Sequence, residues 1–268
     1  IIAEILSEAE EGKKKAYLDL PCRSQFPGNI RLLSTPKGQA FLKIAEGCDN
    51  KCTYCVIPYL RGKYISRVLD EARDLTDKGV SEITLVAQDT TRYGTDLYGK
   101  PMLAELVSKL SGLSKLKWIR LLYCYPEMIG EDLINEYATN EKLVKYIDIP
   151  IQHASDKILK LMGRRGKSND NFELIARLRS SVPDIIIRTS LIVGFPGETQ
   201  EDFEELYEFV KKCRFDRLGV FGYSKEYNTP AAKMKGQIPQ GVKNARYKEI
   251  MELQRTISLQ DNRAKLGK

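Results

Sequence analysis

Three of the six cysteines in this sequence lie within eight residues, at Cys48, Cys52 and Cys55. Cysteine thiolates are the usual ligands of iron–sulfur clusters, and three of them on one tight loop can converge on one face of a cluster. A four-iron cluster held by three thiolates keeps one iron open for a ligand that the protein does not supply. The spacing therefore predicts a metal centre with a free coordination position.

Disulfide bonding and zinc binding are the other common uses of closely spaced cysteines. Neighbours this close in sequence close almost no loop, so a disulfide between them would add little stability, and Cys22, Cys124 and Cys213 follow no pattern. A structural zinc ion needs four ligands, and the single histidine, His153, could complete a Cys3His site. An iron–sulfur cluster fits the spacing better, and the zinc site stays open as the alternative.

The cysteine segment also resembles a known loop. The pattern Cys48-x3-Cys52-x2-Cys55, with Tyr54 directly before the last cysteine, is similar to the cluster loop of radical S-adenosylmethionine (SAM) enzymes. That resemblance implies a catalytic [4Fe–4S] cluster on the three cysteines, with the open iron bound by the amino and carboxylate groups of SAM. The longer segment 46–67 resembles the methylthiotransferase branch of the family, through Gly47, Cys48, Pro58, Arg61, Gly62, Ser66 and Arg67.

Strands that alternate with helices must position this loop. The sequence predicts strands at 40–45, 82–87, 118–123, 144–149, 185–193 and 217–223. It predicts helices at 67–78, 102–110, 132–137, 156–161, 172–179, 202–212 and 242–258, with Thr199 as an N-cap. Such alternation indicates right-handed βαβ units around a parallel sheet. Six units are too few for a closed eight-stranded barrel, so we expect an α/β fold, an open, partial (β/α)6 TIM-like barrel, which the resemblance also implies.

Ligands of parallel α/β folds bind at the carboxyl ends of the strands, and polar residues occupy several of these ends. By resemblance, the segment at Ala87 and Gln88 holds the methionine amino group of SAM, and the turn at 194–199 supports adenine. Gln152, next to His153, is placed to hydrogen-bond a ribose or the methionine carboxylate. The resemblance thus implies these SAM-binding residues besides the cluster ligands: Tyr54, Ala87, Gln88, Gln152, Arg188 and Phe221.

Two of these candidates have an alternative role in the fold. Arg188 lies within an apolar strand, where its charge needs a partner, either the methionine carboxylate or an acid of the core. Phe221 either stacks near adenine or is an aromatic residue that points into the barrel. The basic turn at 163–167 contacts substrate or is solvated.

The formal net charge of +7 is concentrated near the C-terminus. From residue 233 onward there are nine basic and three acidic residues, which could contact RNA or form a solvated helix face. No apolar stretch is long enough to span a membrane, and the N-terminus lacks a secretory signal, so we expect a cytoplasmic protein. The expected organisation is an N-terminal helix and linker at 1–39, the barrel at 40–232, and a basic C-terminal helix at 233–268 that leads to a further domain.

The resemblance implies a specific activity. In the expected reaction a 5′-deoxyadenosyl radical abstracts hydrogen from the β-carbon of an aspartate in a small-subunit ribosomal protein, and a methylthio group is then added there. The tRNA-modifying branch usually carries Gln-Ser-Gly and Asn-Val at two positions where this sequence differs. Here the corresponding residues are Gln152-His153-Ala154 and Asp89-Thr90, which favours the branch that modifies a ribosomal protein. The alternatives are a tRNA adenosine methylthiotransferase and a non-catalytic, zinc-containing RNA-binding barrel.

Partners and a further cofactor follow from the same resemblance. A flavodoxin or ferredoxin would supply electrons, and the basic C-terminal segment could contact ribosomal RNA. A second [4Fe–4S] cluster is expected only in a longer protein, because one cysteine upstream of the loop, Cys22, cannot replace three.

Overall fold

The computed structural model describes residues 2–13, 33–36, 38–67 and 71–267. Contacts divide the chain into two units, Ile1–Leu32 and Leu33–Lys268. The described part of the first unit consists of helix α1, Ile2–Glu10, and the turn that follows it. Cys22 and most of the predicted linker lie outside the described residues.

The six predicted strands are all present in the second unit, together with a short hairpin that the sequence did not reveal. The strands are β1 Gln39–Lys43, β2 Ala45–Glu46, β3 Ile65–Ser66, β4 Glu82–Val86, β5 Trp118–Leu121, β6 Tyr146–Gln152, β7 Ile186–Val193 and β8 Arg217–Gly222. β2 and β3 pair antiparallel and enclose the cysteine segment. Strands of two residues are too short to show an alternating pattern, which is why this ladder was not predicted.

The six long strands form an open parallel barrel. β1, β4 and β5 are hydrogen-bonded in one sheet, and β6, β7 and β8 in another. A parallel bridge between Ile119 and Leu143 joins the two sheets. β1 and β8 end this order of strands, so the predicted open α/β barrel is confirmed.

Helices connect the strands, and the first of them, Ile57–Arg61, lies within the cysteine loop itself. They are α2 Ile57–Arg61, α3 Glu71–Asp77, α4 Thr95–Tyr98, α5 Leu103–Ser111, α6 Glu131–Thr139, α7 Asp156–Leu161, α8 Ser168–Ser181, α9 Gln200–Cys213 and α10 Gln240–Arg263. Short 3-10 helices lie at Thr90–Arg92, Pro126–Met128 and Ala231–Lys233. α8 begins four residues before the predicted helix, and α10 extends the predicted C-terminal helix at both ends. None of the described helices could cross a membrane, given their lengths and hydropathy.

The two faces of the sheets differ in chemistry because neighbouring residues along a strand point to opposite sides. The outer face is apolar and is covered by helices, with Leu42, Ile83, Leu85, Ile119, Leu121, Ile147, Ile187 and Leu191 buried. Burying one such side chain contributes roughly 1.5–3 kcal/mol, so this face supplies much of the stability. The inner face is polar and partly exposed, with Glu82, Arg120, Tyr146, Asp148 and Arg188.

Helix α9 begins with the predicted cap. The Thr199 hydroxyl accepts from the Asp202 backbone N–H at 3.3 Å, and the Thr199 N–H donates to the Asp202 carboxylate at 2.8 Å. The same carboxylate accepts from the Ser155 hydroxyl at 2.7 Å. This capping box therefore also ties α9 to the segment that follows β6.

The C-terminal helix α10 packs against β8 and α9 within the second unit. Lys243 donates to the Tyr223 carbonyl at 2.7 Å, and Arg246 donates to a Glu198 carboxylate oxygen at 2.7 Å. Both side chains are buried. Two of the nine basic residues counted near the C-terminus are therefore interior contacts of the fold rather than part of a basic surface.

Candidate functional site

The loop between β2 and β3 carries the three clustered cysteines. Gly47 begins this loop with a φ of 75°, and a Cβ atom there would lie 2.0 Å from the Lys63 carbonyl oxygen. Only glycine fits this close approach. The turn brings the Cys48 N–H to the Gly62 carbonyl at 3.0 Å, so the loop closes on itself directly after β2.

The three thiols line a single cavity of about 560 Å³. Cys48 and Cys52 are buried and Cys55 is half-buried, and none of the three forms a disulfide. The Ile57 N–H donates to the Cys55 sulfur at 3.4 Å, as expected for a loop that stabilises a bound thiolate. Burial raises the pKa of the Cys48 and Cys55 thiols, so these thiols must lose protons when they bind a metal.

This arrangement fits a cluster better than a single metal ion. Within the part of the chain that the structure describes, no three His, Cys, Asp or Glu side chains surround one ion-sized site. The thiolates of a four-iron cluster bind different irons, so they need only surround a larger body. His153 does not complete a zinc site, because its Nδ1 accepts from the Ser155 N–H at 3.0 Å and its Nε2 lies 3.5 Å from Glu198.

The end of α7 holds the cysteine loop from the other side. Thr53 donates from its backbone N–H to the Met162 carbonyl at 2.9 Å and from its hydroxyl to the Leu161 carbonyl at 2.8 Å. Gly163 has a φ of 74°, and a Cβ atom there would lie 2.4 Å from the Lys51 carbonyl oxygen. The glycine of the basic turn therefore allows α7 to approach the cysteine loop closely.

The segment after β4 is joined to the same loop. Asn50 donates to a carboxylate oxygen of Asp89 at 2.8 Å, and the Tyr64 hydroxyl donates to the Asp89 carbonyl at 3.0 Å. Asp89 is fully buried, and burial raises the pKa of its carboxyl, although hydrogen bonds from Thr91 and Asn50 oppose this shift. Sequence analysis did not single out Asn50, because its partner is 39 residues away.

The predicted residues Ala87 and Gln88 lie beside this connection. Ala87 is buried at the end of β4. The Gln88 side-chain oxygen is buried and has no protein hydrogen-bond partner. A buried acceptor of this kind costs free energy unless a ligand supplies a donor, so Gln88 has the chemistry to bind an ammonium or hydroxyl group.

Tyr54 connects the cysteine loop to the turn after β7. Its ring contacts the Phe195 ring edge-on with centroids 6.3 Å apart, and Phe195 contacts Tyr223 at 5.3 Å. Burial raises the pKa of the Tyr54 hydroxyl well above its usual value. These ring contacts therefore join the residue before Cys55 to the turn after β7.

Gln152 has a strained backbone at the end of β6. Its φ is 75°, which is uncommon for a residue other than glycine, and the pairing register with β7 shifts between Ile149 and Gln152. Such strain costs on the order of 1–3 kcal/mol and tends to occur where a side chain has a specific role. The backbone of Gln152 therefore departs from regular strand geometry at the position where the strand ends.

Arg188 and Phe221 lie on the inner face of the barrel. The Arg188 Nη1 is 2.6 Å from the Asp148 Oδ1, so an acid of the neighbouring strand already pairs with its charge. Burial acts to lower the pKa of Arg188, but the hydrogen bond to Asp148 raises it overall. Phe221 is 57% exposed and is the in-register neighbour of Ile192, so it points into the open barrel.

Comparison with known sequences relates this geometry to a family. The sequence profile of the Radical SAM superfamily matches residues 42–210. A relative from Acetivibrio thermocellus, named ribosomal protein uS12 methylthiotransferase RimO, is 55% identical, and the match covers 100% of this chain and 61% of the relative. A relative of the same name from Clostridium botulinum is 51% identical, with the same coverage of 100% and 61%. The chain thus spans 61% of the length of these curated relatives.

Solved structures share the fold at low sequence identity. Coproporphyrinogen III oxidase (HemN) from Escherichia coli, described as a radical SAM enzyme, has a TM-score of 0.55 at 17% identity, covering 84% of this chain and 53% of its own. The radical SAM methyltransferase TsrM from Kitasatospora setae, with cobalamin and a [4Fe–4S] cluster bound, has a TM-score of 0.58 at 18% identity, covering 73% and 38%. The profile match covers most of the barrel, cysteine loop included. The chain therefore belongs to the radical SAM superfamily.

Proposed function

We propose that this chain is the radical SAM core of a methylthiotransferase that modifies an aspartate of a small-subunit ribosomal protein. The observation that carries the proposal is the convergence of Cys48, Cys52 and Cys55 on one cavity. The names of relatives 50% or more identical over the whole chain supply the class of reaction and substrate.

In this proposal the three cysteines hold a [4Fe–4S] cluster and SAM binds at its open iron. When bound, the cluster supplies the electron that cleaves SAM into a radical able to take hydrogen from an unactivated carbon. Gln88, with its unpaired buried oxygen, is the proposed acceptor for the SAM ammonium, and Ala87 is beside it. The other proposed contacts with SAM are Tyr54, Gln152, Arg188 and Phe221.

The remaining side chains orient the reactants and exclude water. The ring contacts of Tyr54, Phe195 and Tyr223 hold the cysteine loop against the turn after β7 and so fix the position of the neighbouring Cys55. On the inner face, Arg120 pairs with Glu82 at 3.0 Å, and Arg188 pairs with Asp148. Arginines that line the open barrel suit a substrate side chain that carries a carboxylate, such as aspartate.

The surface charge gives less support to a nucleic-acid substrate than the sequence suggested. Lys243 and Arg246 are buried in contacts with Tyr223 and Glu198, so neither can neutralise a phosphate. We therefore favour the ribosomal protein over tRNA as the substrate. The proposal also includes a cytoplasmic location and a flavodoxin or ferredoxin as electron donor. It further includes a contact with ribosomal RNA and a second cluster in a longer protein.

A segment exchange tests the proposed substrate. In the Acetivibrio thermocellus relative, the segment that matches this chain would be replaced by this chain. The hybrid would be loaded with iron and sulfide and incubated without oxygen with SAM, a reductant and either protein uS12 or tRNA. We expect mass spectrometry to find one added methylthio group on an aspartate of uS12.

Two cysteine variants of the hybrid serve as a matched pair. Cys52→Ala is expected to lose the visible absorption of the cluster, because it removes one of only three thiolates. Cys124→Ala is expected to keep it, since Cys124 is fully buried and burial raises the pKa of its thiol to about 12. Modification of tRNA instead of uS12 by the loaded hybrid would contradict the proposal.

A further inference from the structure

Arg164 is buried beneath the cysteine loop, although the sequence predicts that its basic turn contacts substrate or is solvated. Its side chain is 2% exposed. The guanidinium carbon lies 4.2 Å from the centre of the Tyr125 ring, and Nη2 donates to the Pro150 carbonyl at 2.9 Å. Glu127 is the nearest acid, 3.6 Å from Nε. Packing on an aromatic ring and a carbonyl thus fixes the orientation of the guanidinium group.

One nitrogen of this group, Nη1, is buried and has no protein hydrogen-bond partner. Folded proteins rarely leave a charged donor in this state unless it serves a ligand. Arg164 lines a cavity of about 200 Å³ together with Cys52 and Tyr125. The unpaired donor therefore belongs to a cavity that one of the cluster cysteines also lines.

Tyr125 links the guanidinium to the thiol. Its hydroxyl oxygen lies 3.9 Å from the Cys52 sulfur, within the reach of a weak hydrogen bond to sulfur. When Cys52 is a thiolate, the hydroxyl is the only one of the two groups that can donate. The same ring lies against Arg164, whose permanent positive charge acts strongly in a poorly solvated site.

We propose that Arg164 and Tyr125 raise the reduction potential of the cluster held by Cys48, Cys52 and Cys55. This inference rests on the proposed function, because it requires a cluster at the three cysteines. Reduction adds one electron from an external donor and forms or breaks no bond. Nearby positive charge and hydrogen bonds to the sulfur ligands both favour the more negatively charged, reduced form.

The test is a potentiometric titration of the reconstituted chain, followed by visible absorption. Arg164→Gln removes the charge, and we expect the ratio of reduced to oxidised cluster at a fixed potential to fall about tenfold, a shift of about 59 mV for one electron. Arg177→Gln is the matched control, because Arg177 is an exposed arginine of α8 that does not line this cavity. Arg164→Lys keeps the charge and is expected to remain near the wild-type potential.

Tyr125→Phe keeps the ring under Arg164 and removes only the hydroxyl, so its potential should also shift to a more negative value. Unshifted potentials in both Arg164→Gln and Tyr125→Phe, with only thermal stability lowered, would overturn the inference and leave a structural role. If Arg164→Gln takes up no cluster, the potential of Tyr125→Phe decides: a more negative potential supports the inference, and an unshifted potential overturns it. A wild-type chain that binds no iron and sulfide would instead overturn the proposed function, and the inference with it.

Discussion

Arg188 and Asp148 are in-register neighbours on adjacent strands, and their ion pair bears on how SAM is bound. The Asp148 side chain is 3% exposed and the Arg188 side chain is 35% exposed. Water can therefore solvate the guanidinium in part, whereas the Asp148 carboxylate depends on Arg188 for compensation of its charge. A buried carboxylate that loses its partner is strongly destabilising. A SAM carboxylate at this place would have to share the guanidinium with Asp148.

Replacing Arg188 with alanine tests both its ion pair with Asp148 and its proposed contact with SAM. We expect the free energy of unfolding to fall by about 2 kcal/mol, as for the loss of a hydrogen bond between charged groups. SAM affinity of the cluster-loaded chain should fall as well, because the proposed contact of Arg188 with SAM is lost. Urea unfolding measures the stability, and calorimetric titration with SAM measures the affinity. The double variant Arg188→Ala with Asp148→Asn should recover part of the stability, because it removes the unpaired charge. Unchanged SAM affinity with lowered stability would contradict the contact with SAM and leave Arg188 only its ion pair with Asp148.

The candidate site residues that the structure brings together are those whose signal in the sequence is local. The spacing of Cys48, Cys52 and Cys55 is visible within one loop, and the structure places all three on one cavity. The partners of Arg188 and Asn50 are 40 and 39 residues away in sequence. Such pairs depend on the register of the sheet and the packing of loops, which a single sequence does not determine. For the same reason the sequence predicts a turn at 163–167 that contacts substrate or is solvated, and it does not indicate that Arg164 is buried.

Among the elements, the six long strands and Thr199 as the N-cap of α9 were predictable because alternation and capping are short-range signals. The hairpin of β2 and β3 was not, although it closes the cysteine loop. Positive φ values at Gly47 and Gly163 were not predictable either. Gly47 lies where the two ends of the loop approach each other, and Gly163 lies where α7 approaches the loop, so both positions control the loop's shape.

Gly163 gives an element-scale prediction about the contact of α7 with the cysteine loop. In Gly163→Ala the new Cβ would clash with the Lys51 carbonyl, and the left-handed backbone adds a cost of about 1–2 kcal/mol. We expect a lower melting temperature and less iron bound per chain. Gly79→Ala is the control, because Gly79 has a similar φ of 89° but open space around its Cβ position. Equal iron content in the two variants would mean that this contact does not shape the loop.

Asp202 gives a second prediction at this scale, for the junction of α9 with the segment after β6. Burial acts to raise the pKa of Asp202, but hydrogen bonds from Lys157, Thr199 and Ser155 outweigh it and hold the pKa well below its usual value. A carboxyl with a lowered pKa stabilises the fold above its ordinary pKa of about 3.9, and this stabilisation is lost as the pH falls below that value.

Asp202→Asn should therefore lower the free energy of unfolding by about 1.5–3 kcal/mol at pH 7. The loss should shrink as the pH drops below about 4, because the Asp202 carboxyl of the unfolded wild-type chain then takes up a proton, which favours unfolding. Urea unfolding at several pH values measures both effects. Glu205→Gln on the exposed face of α9 is the control. A constant difference between Asp202→Asn and wild type at every pH would contradict the role of the charge.

At the scale of the whole molecule, the second unit, Leu33–Lys268, contains both the barrel and α10. Arg246 of α10 pairs with buried Glu198, which also accepts from the Phe195 N–H at 3.0 Å and faces His153. The C-terminal helix thus supports the turn behind the cysteine cavity, so the site needs α10 as well as the six βα units. All groups proposed to bind the cluster and SAM lie within this unit.

The chain by itself is therefore expected to cleave SAM reductively to 5′-deoxyadenosine without adding a methylthio group to its target. The first expectation follows from the complete cavity, which holds three thiols and the unpaired oxygen of Gln88 nearby. The second follows because the described residues offer one set of three clustered cysteines, whereas the proposed reaction needs a second cluster as the sulfur donor.

The measurement is anaerobic incubation of the reconstituted chain with SAM, a strong reductant and protein uS12, followed by chromatography for 5′-deoxyadenosine and mass spectrometry of uS12. Cys48→Ala is the negative control for SAM cleavage, and Cys213→Ala, which changes a buried cysteine of α9, should behave as wild type. Methylthiolated uS12 would disprove the need for a second cluster. Absence of 5′-deoxyadenosine from a chain that carries its iron and sulfide would show that the residues around the cavity do not by themselves bind SAM productively.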